Sequence, residues 1–181
     1  MAVSLGVNAA IFDDHGRILL TLREDFEIWC MPGGGVDAGE DPYNAVIREA
    51  QEETGLIVRP TRLVGMYTRP SWMHLTPHIM VFATQVIGGK LERQVSEVLD
   101  MRYFALDELP DNMLLGQAFR IEDAAKGVTG TLVTEDIAFP LPQVQNRRDL
   151  YAARDASGLA RQAFYMQTFA PLRREQFIRH L

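Results

Sequence analysis

Apolar and polar positions alternate in short runs over the first part of the chain. Residues 5–12 (LGVNAAIF) and 17–23 (RILLTLR) have the composition of strands, and Asp13, Asp14, His15 and Gly16 between them form a turn-rich tetrad. This spacing predicts a β-hairpin. A third short strand is expected over 26–30, running into Met31-Pro32-Gly33-Gly34-Gly35, where proline and glycine end regular structure and let backbone approach a ligand closely. Asp41 is placed to cap a helix that has Pro42 at its first position, which predicts a helix over 42–54. Its apolar Val46, Ile47 and Ala50 are expected to face the sheet, with Glu49, Glu52 and Glu53 facing away.

Past this helix, 63–68 and 78–87 read as strands, separated by RPSWMHLTP, a loop of large recognition-type side chains. Gly88 and Gly89 are expected to close a further hairpin, 101–105 to form another strand, and 106–110 to turn into a helix over 112–125. Strands mixed with two long helices predict an α+β or mixed α/β layer fold. From Gly127 the composition shifts. Residues 145–181 hold seven arginines and three acidic residues, a local charge of +4, which leaves −10 for the rest of a chain whose net charge is −6. Helical pieces at 145–154 and 158–168, with Leu150, Tyr151, Leu159, Phe164, Tyr165 and Phe169 as apolar material, predict an ordered extension. The expected division is a domain over 1–126 and an arginine-rich extension over 127–181, packed on that domain or on a second subunit as a homodimer. Its arginines form either a solvated face or a phosphate-facing or dimer-forming surface.

Bulk properties narrow the function. At 181 residues, 47% hydrophobic and 23% charged, the chain suits one well-cored domain with an extension. The acidic balance disfavours non-specific binding to nucleic acid or an anionic membrane, so an anionic substrate needs local cations. Cys30 is the single cysteine, which excludes an intrachain disulfide and fits a reducing, cytoplasmic setting. No apolar run approaches the roughly 18 residues that span a bilayer, and the first residues lack the basic start of a signal peptide.

Within the 42–54 helix, Glu49, Glu52 and Glu53 stand at i, i+3 and i+4, so their carboxylates share one face. They also crowd the last turn before Gly55, where the helix macrodipole disfavours negative charge. A cluster adverse on both counts is explained by a bound cation, and hard carboxylate oxygens suit Mg²⁺ or Mn²⁺.

These residues carry a resemblance to the Nudix family, whose signature is G, five residues, E, seven residues, then REUxEExGU, with U a bulky aliphatic. Gly34, Glu40, Arg48, Glu49, Glu52, Glu53, Gly55 and Leu56 match it in register, and Ala50 departs from it only in size. The likeness extends over about residues 5–126 and implies a mixed β-sheet between helices, with metal-assisted hydrolysis of a diphosphate linkage. It implies Glu49, Glu52 and Glu53 as metal ligands, the Gly33 carbonyl as a further one, and Arg48 as the residue that holds Glu52. Glu40 either assists a further metal or braces the loop. The general base implied is a glutamate in a later loop, where Glu97 matches and also counts as a metal ligand; Glu92 competes with it, and Glu52 is an alternative within the signature.

Substrate choice lies outside the signature. Arg23 is a candidate for phosphate contact; Trp29, Tyr67 and Trp72 are candidates for stacking on a base; Arg69, His74 and His78 are candidates for polar contacts. Pro70 stands near the position where ADP-ribose-cleaving relatives carry a proline. The leading expectation is a Mg²⁺-dependent pyrophosphatase of nucleoside diphosphate derivatives such as ADP-ribose or nucleotide sugars. The alternatives are a sanitising nucleoside triphosphate pyrophosphohydrolase and a non-catalytic nucleotide-sensing module. The intact carboxylate cluster argues against the last, because a pure binder gains nothing from such self-repulsion.

Overall fold

A computed structural model describes every residue except 1, 71, 74, 94–96 and 175. Among the described residues eight strands form two sheets. In the larger, β1 (Ala2–Ile11), β5 (Leu75–Gly89), β4 (Leu56–Thr68), β7 (Thr131–Asp136) and β8 (Gln176–Arg179) lie in that spatial order. β1 runs parallel to β5 and β7 parallel to β4, while the β4–β5 and β7–β8 pairs are antiparallel, so the sheet is mixed. The smaller sheet is antiparallel, with β2 (Ile18–Arg23) between β3 (Trp29–Cys30) and β6 (Val98–Phe104).

Two of the expected hairpins do not form. The 13–16 tetrad does turn the chain, with the Asp13 carboxylate accepting from the amides of His15 and Arg17. It carries β1 and β2 into different sheets, leaving only an isolated Phe12–Ile18 bridge. Gly88 and Gly89 pair back onto Ile57 and Leu56 at the end of β5, and the next strand, β6, joins β2. Turn chemistry specifies a reversal, and the pairing partner is decided by burial elsewhere.

Helix α1 (Pro42–Thr54) has the expected bounds. The Asp41 side chain accepts from the Asn44 amide at 3.0 Å, and Gly55 ends the helix with φ 72°, in the left-handed region. Its Ala45, Val46 and Ala50 pack on Val7, Ala9, Ile11, Leu56 and Val58 of the larger sheet. On the opposite face, α2 (Gln117–Ala125) lays Ile121 and Ala124 against Val64, Tyr67 and Val81, together with Trp29 and Met31. The sheet is thus covered by a helix on each side. α2 starts five residues later than the sequence pattern suggests, because Gly116 at φ 80° breaks the backbone ahead of it.

The segment after Gly127 is built into this framework. β7 extends the larger sheet beside β4, and α3 (Arg147–Ala156) and α4 (Arg161–Phe169) enclose a third apolar cluster with Phe26 and Ile28. The Tyr165 hydroxyl accepts from the Leu115 amide at 2.7 Å, and Arg154 Nη1 donates to the Asp25 carbonyl at 2.5 Å. The extension therefore packs on its own chain. Most of its described arginines are engaged there: Arg154 with Asp155, Arg161 with Glu24, Arg179 with Asp123.

Candidate active site

The glycine loop is fixed by the free edge of β1. Val7 N donates to Gly34 O at 2.9 Å, Ala9 N to Pro32 O at 2.8 Å, and Val36 N to Leu5 O at 3.0 Å. The loop thus lies along β1 as an added edge segment, and the C-terminal half of α1 packs over it. A Cβ on Gly34 would lie 2.5 Å from Glu49 Oε1, so only glycine lets the carboxylate come down onto the backbone there.

The three clustered glutamates have different surroundings. Glu53 is 7% exposed and turns inward, its Oε2 accepting from Gly33 N at 3.0 Å. Its expected outward orientation is therefore corrected. The side chain lies where the helix meets the loop, and the amide there gives it a partner. Burial raises its pKa from 4.5 to about 7; the Gly33 amide and Arg23 oppose that rise, and the charges of Glu49 and Glu97 add to it. Burial likewise raises Glu49, against the pull of Arg48. Glu52 is the solvent-facing member, its side chain 53% exposed.

Arg48 ties the group together. It donates to both oxygens of Glu40 at 3.0 and 2.9 Å, to Glu49 at 2.8 Å, to Glu52 at 3.1 Å and to Gly35 O at 3.0 Å. Glu40 accepts in addition from Asp37 N at 3.2 Å, and the Arg48 bonds hold its carboxyl below the usual range. Glu40 thus braces the loop.

Glu97 reaches the same place from the turn before β6. It lines a cleft of about 430 Å³ together with Gly33, Glu49, Glu53, Arg23 and His78, a size suited to a nucleotide-like ligand. Its backbone carbonyl accepts from Glu24 N at 2.9 Å, which anchors that turn. Glu92 is exposed, its amide bonded to Thr54 O at the far end of α1, and it does not line the cleft. Among the described residues no three acidic, histidine or cysteine side chains converge into a closed cation cage. The donor set nevertheless suits a hard dication. The charge of Glu97 raises the carboxyls of both Glu49 and Glu53, and a dication among the three would relieve that repulsion.

The substrate candidates divide. Arg23 lines the cleft but donates through Nε and Nη2 to Asp25 at 2.9 and 2.6 Å. His78 also lines it, its Nδ1 2.8 Å from Thr68 Oγ1. Trp29 and Tyr67 are core residues and present no ring to a base. Trp29 packs edge-on to Phe104, and the Tyr67 hydroxyl donates to Asp123 at 2.8 Å. Arg69 is 5% exposed, paired with Glu135 and bonded to Leu115 O at 2.5 Å. Trp72 packs between Phe139 and Phe169 with the Arg69 guanidinium 4.8 Å from its ring centre, and Pro70 is exposed away from the cleft lining. His74 lies outside the described residues. The departures at Arg69 and Trp72 share one cause: β4 continues to Thr68, so the side chains just beyond its end are held by β7 and the extension.

Sequence reasoning missed the cleft floor and one wall. Asn8 and Gln117 line the floor, with Gln117 Nε2 donating to Asn8 Oδ1 at 3.2 Å and Met31 N donating to Gln117 Oε1 at 3.1 Å. Arg120 is also there, buried and doubly bonded to Glu135. Arg147, the first residue of α3, forms part of the wall. A buried amide in a predicted helix was the available signal for Gln117; nothing local marks Arg147.

The model of the NUDIX domain matches residues 3–123. The chain is 30% identical over 129 residues to the "Putative 8-oxo-dGTP diphosphatase" of Bacillus subtilis, covering 71% of this chain and 85% of that protein. It is 35% identical over 105 residues to the ADP-ribose pyrophosphatase of Methanocaldococcus jannaschii, covering 55% and 61%. Among solved structures, an ADP-ribose pyrophosphatase from Streptococcus suis superposes with a TM-score of 0.56 at 28% identity, over 68% of this chain and 90% of that one. With the carboxylate helix, glycine loop and mixed sheet in place, these matches establish that the chain belongs to the Nudix family of hydrolases.

Proposed function

We propose that this Nudix hydrolase cleaves the diphosphate linkage of a nucleoside diphosphate derivative of the ADP-ribose or nucleotide-sugar type, with Mg²⁺ or Mn²⁺. The observation that carries the reading is one cleft in which Glu49, Glu53 and Glu97 face Gly33, Arg23 and His78. Glu49, Glu52, Glu53, Glu97 and the Gly33 carbonyl are the residues that would hold the metal. Bound there, it would screen the substrate's charge and acidify a water. Arg48 keeps Glu49 and Glu52 oriented, and Gly33 N–H keeps Glu53 in place. Glu97, exposed at the cleft mouth, is the base that takes the proton from the attacking water, with Glu52 as the alternative. Arg23 and His78 orient the substrate.

The similar proteins named for ADP-ribose support this substrate class. The relative of which the chain covers 85% is instead named for 8-oxo-dGTP, and it supports the second reading, a triphosphate pyrophosphohydrolase. The partner in either reading is a small nucleotide, and no second subunit is needed for the extension to pack. A cytoplasmic setting belongs to the proposal, supported by the single, buried Cys30, whose thiol is raised to about 11 by burial. No described helix is long and apolar enough to cross a membrane.

The test is a panel of ADP-ribose, nucleotide sugars, dinucleotides and nucleoside triphosphates with Mg²⁺, resolving products. Nucleoside monophosphate and a sugar phosphate from the first two classes are expected. Preferential release of inorganic pyrophosphate from triphosphates would select the second reading, and no turnover of any member would refute both.

A further inference from the structure

Three arginines line the cleft: Arg23, Arg120 and Arg147. Their hydrogen bonds separate them. Arg23 gives Nε and Nη2 to Asp25, and Arg120 gives Nε and Nη2 to Glu135. The Arg147 side chain is exposed and, among the described residues, is in no hydrogen bond or ion pair. Against burial, Arg23, then the Tyr151 hydroxyl and the Arg147 charge hold the Asp25 carboxyl low, but its two oxygens accept from Arg23 and, at 3.1 Å, from Tyr151, and Arg147 gives them no hydrogen bond. Among the described residues its donors are uncommitted.

The helix that carries Arg147 is nonetheless held in place. The Asn146 side chain caps α3 by accepting from Asp149 N at 3.0 Å, Leu150 is buried in the third cluster, and Tyr151 and Arg154 both bind the Asp25 turn. That turn follows Arg23, so α3 is clamped to the strand end beside the acidic cluster. Arg147 then borders a second lobe of about 230 Å³, shared with Arg23, Glu53, Glu97 and Tyr151. With Glu24 and Asp25 also lining it, carboxylates outnumber arginines in this lobe, so an anionic ligand entering it needs a cation with open donors.

We propose that Arg147 binds a phosphate group of the substrate, so that the extension beyond the matched domain completes the site. This rests on the hydrolase reading above. A guanidinium suits the task through its planar fork, which matches phosphate oxygens two at a time.

The test uses the full-length chain and the variants R147A, R147Q and R147K, with Mg²⁺ present. Two measurements are made: steady-state kinetics on whichever panel substrate the wild type turns over, and equilibrium binding of inorganic pyrophosphate by calorimetry. R147A and R147Q are expected to raise KM and the pyrophosphate dissociation constant roughly ten-fold, the size of one charge-assisted hydrogen bond. The kcat should stay within about two-fold and the melting temperature should not move, because the side chain is exposed. R147K should recover part of the loss. Unchanged KM and pyrophosphate binding in an active enzyme would overturn this inference and leave the hydrolase reading intact. A wild type that turns over nothing, with pyrophosphate binding still weakened by R147A, would overturn the hydrolase reading and keep the anion site. Neither turnover nor binding in the wild type would overturn both.

Discussion

Replacing Glu53 with glutamine is expected to make the metal-free protein more stable. In the fold the carboxyl is buried and titrates at about 7 against an ordinary 4.5. At about 1.36 kcal/mol per pH unit, that gap makes the ionised form on the order of 3 kcal/mol less favourable in the folded state. The sign follows from the raised value. Below pH 4.5 the group is protonated in both folded and unfolded chains and costs nothing; between 4.5 and about 7 the unfolded carboxyl ionises while the folded one keeps its proton, so stability falls across that window, and the full loss is reached as pH rises through 7. Glutamine keeps an acceptor for Gly33 N–H without the charge. Thermal unfolding in EDTA should therefore show Glu53→Gln above wild type at pH 8 by roughly 6–12 °C, from about 2–4 °C per kcal/mol for a chain of this size, with no gap at pH 4. Adding Mg²⁺ at pH 8 should raise the wild type and leave the variant nearly unmoved, since ligand binding stabilises only the state that binds. A variant equal to or below wild type at pH 8 without metal would refute the reasoning, because the carboxylate would then carry no burial penalty.

Glu135→Gln should destabilise by about 3–5 kcal/mol in urea unfolding, since it leaves the buried Arg69 and Arg120 without their shared anion; a loss below about 1 kcal/mol would show that the arginines find other acceptors. Gly34→Ala should leave the fold intact but push the flexible Glu49 carboxylate aside, raising the Mg²⁺ concentration for half-maximal activity by about ten-fold or more; an unchanged metal requirement would remove Glu49 from the ligand set. Glu97→Gln should lower kcat by about 10²–10⁴ with little change in KM, and an effect on KM alone would make Glu97 a contact residue.

The helix was the most legible part of the sequence, because Asp41, Pro42 and Gly55 are local instructions that the rest of the chain does not override. The distinction between Glu52 and Glu53 was not legible: adjacent positions differ by one step around the helix, and what separates them is the Gly33 amide, twenty residues back. β7 was legible in principle. Thr131, Val133 and Glu135 are buried between the more exposed Leu132, Thr134 and Asp136, but the acid at the third inward position disguises the alternation. Its justification is two distant arginines, which no local window contains. The stacking roles expected of Trp29 and Tyr67 fail for a similar reason, since an aromatic in a strand reads the same whether its ring faces a ligand or the core.

The glycine loop also protects the molecule from itself. β1 is the last strand on its side of the larger sheet, and bonds from Val7, Ala9 and Val36 keep its outer edge occupied. An open edge of that kind invites strands from other chains. The same backbone that seats Glu49 and Glu53 therefore serves as a guard rail against aggregation. Lesions in this loop should show up as loss of soluble protein as readily as loss of turnover.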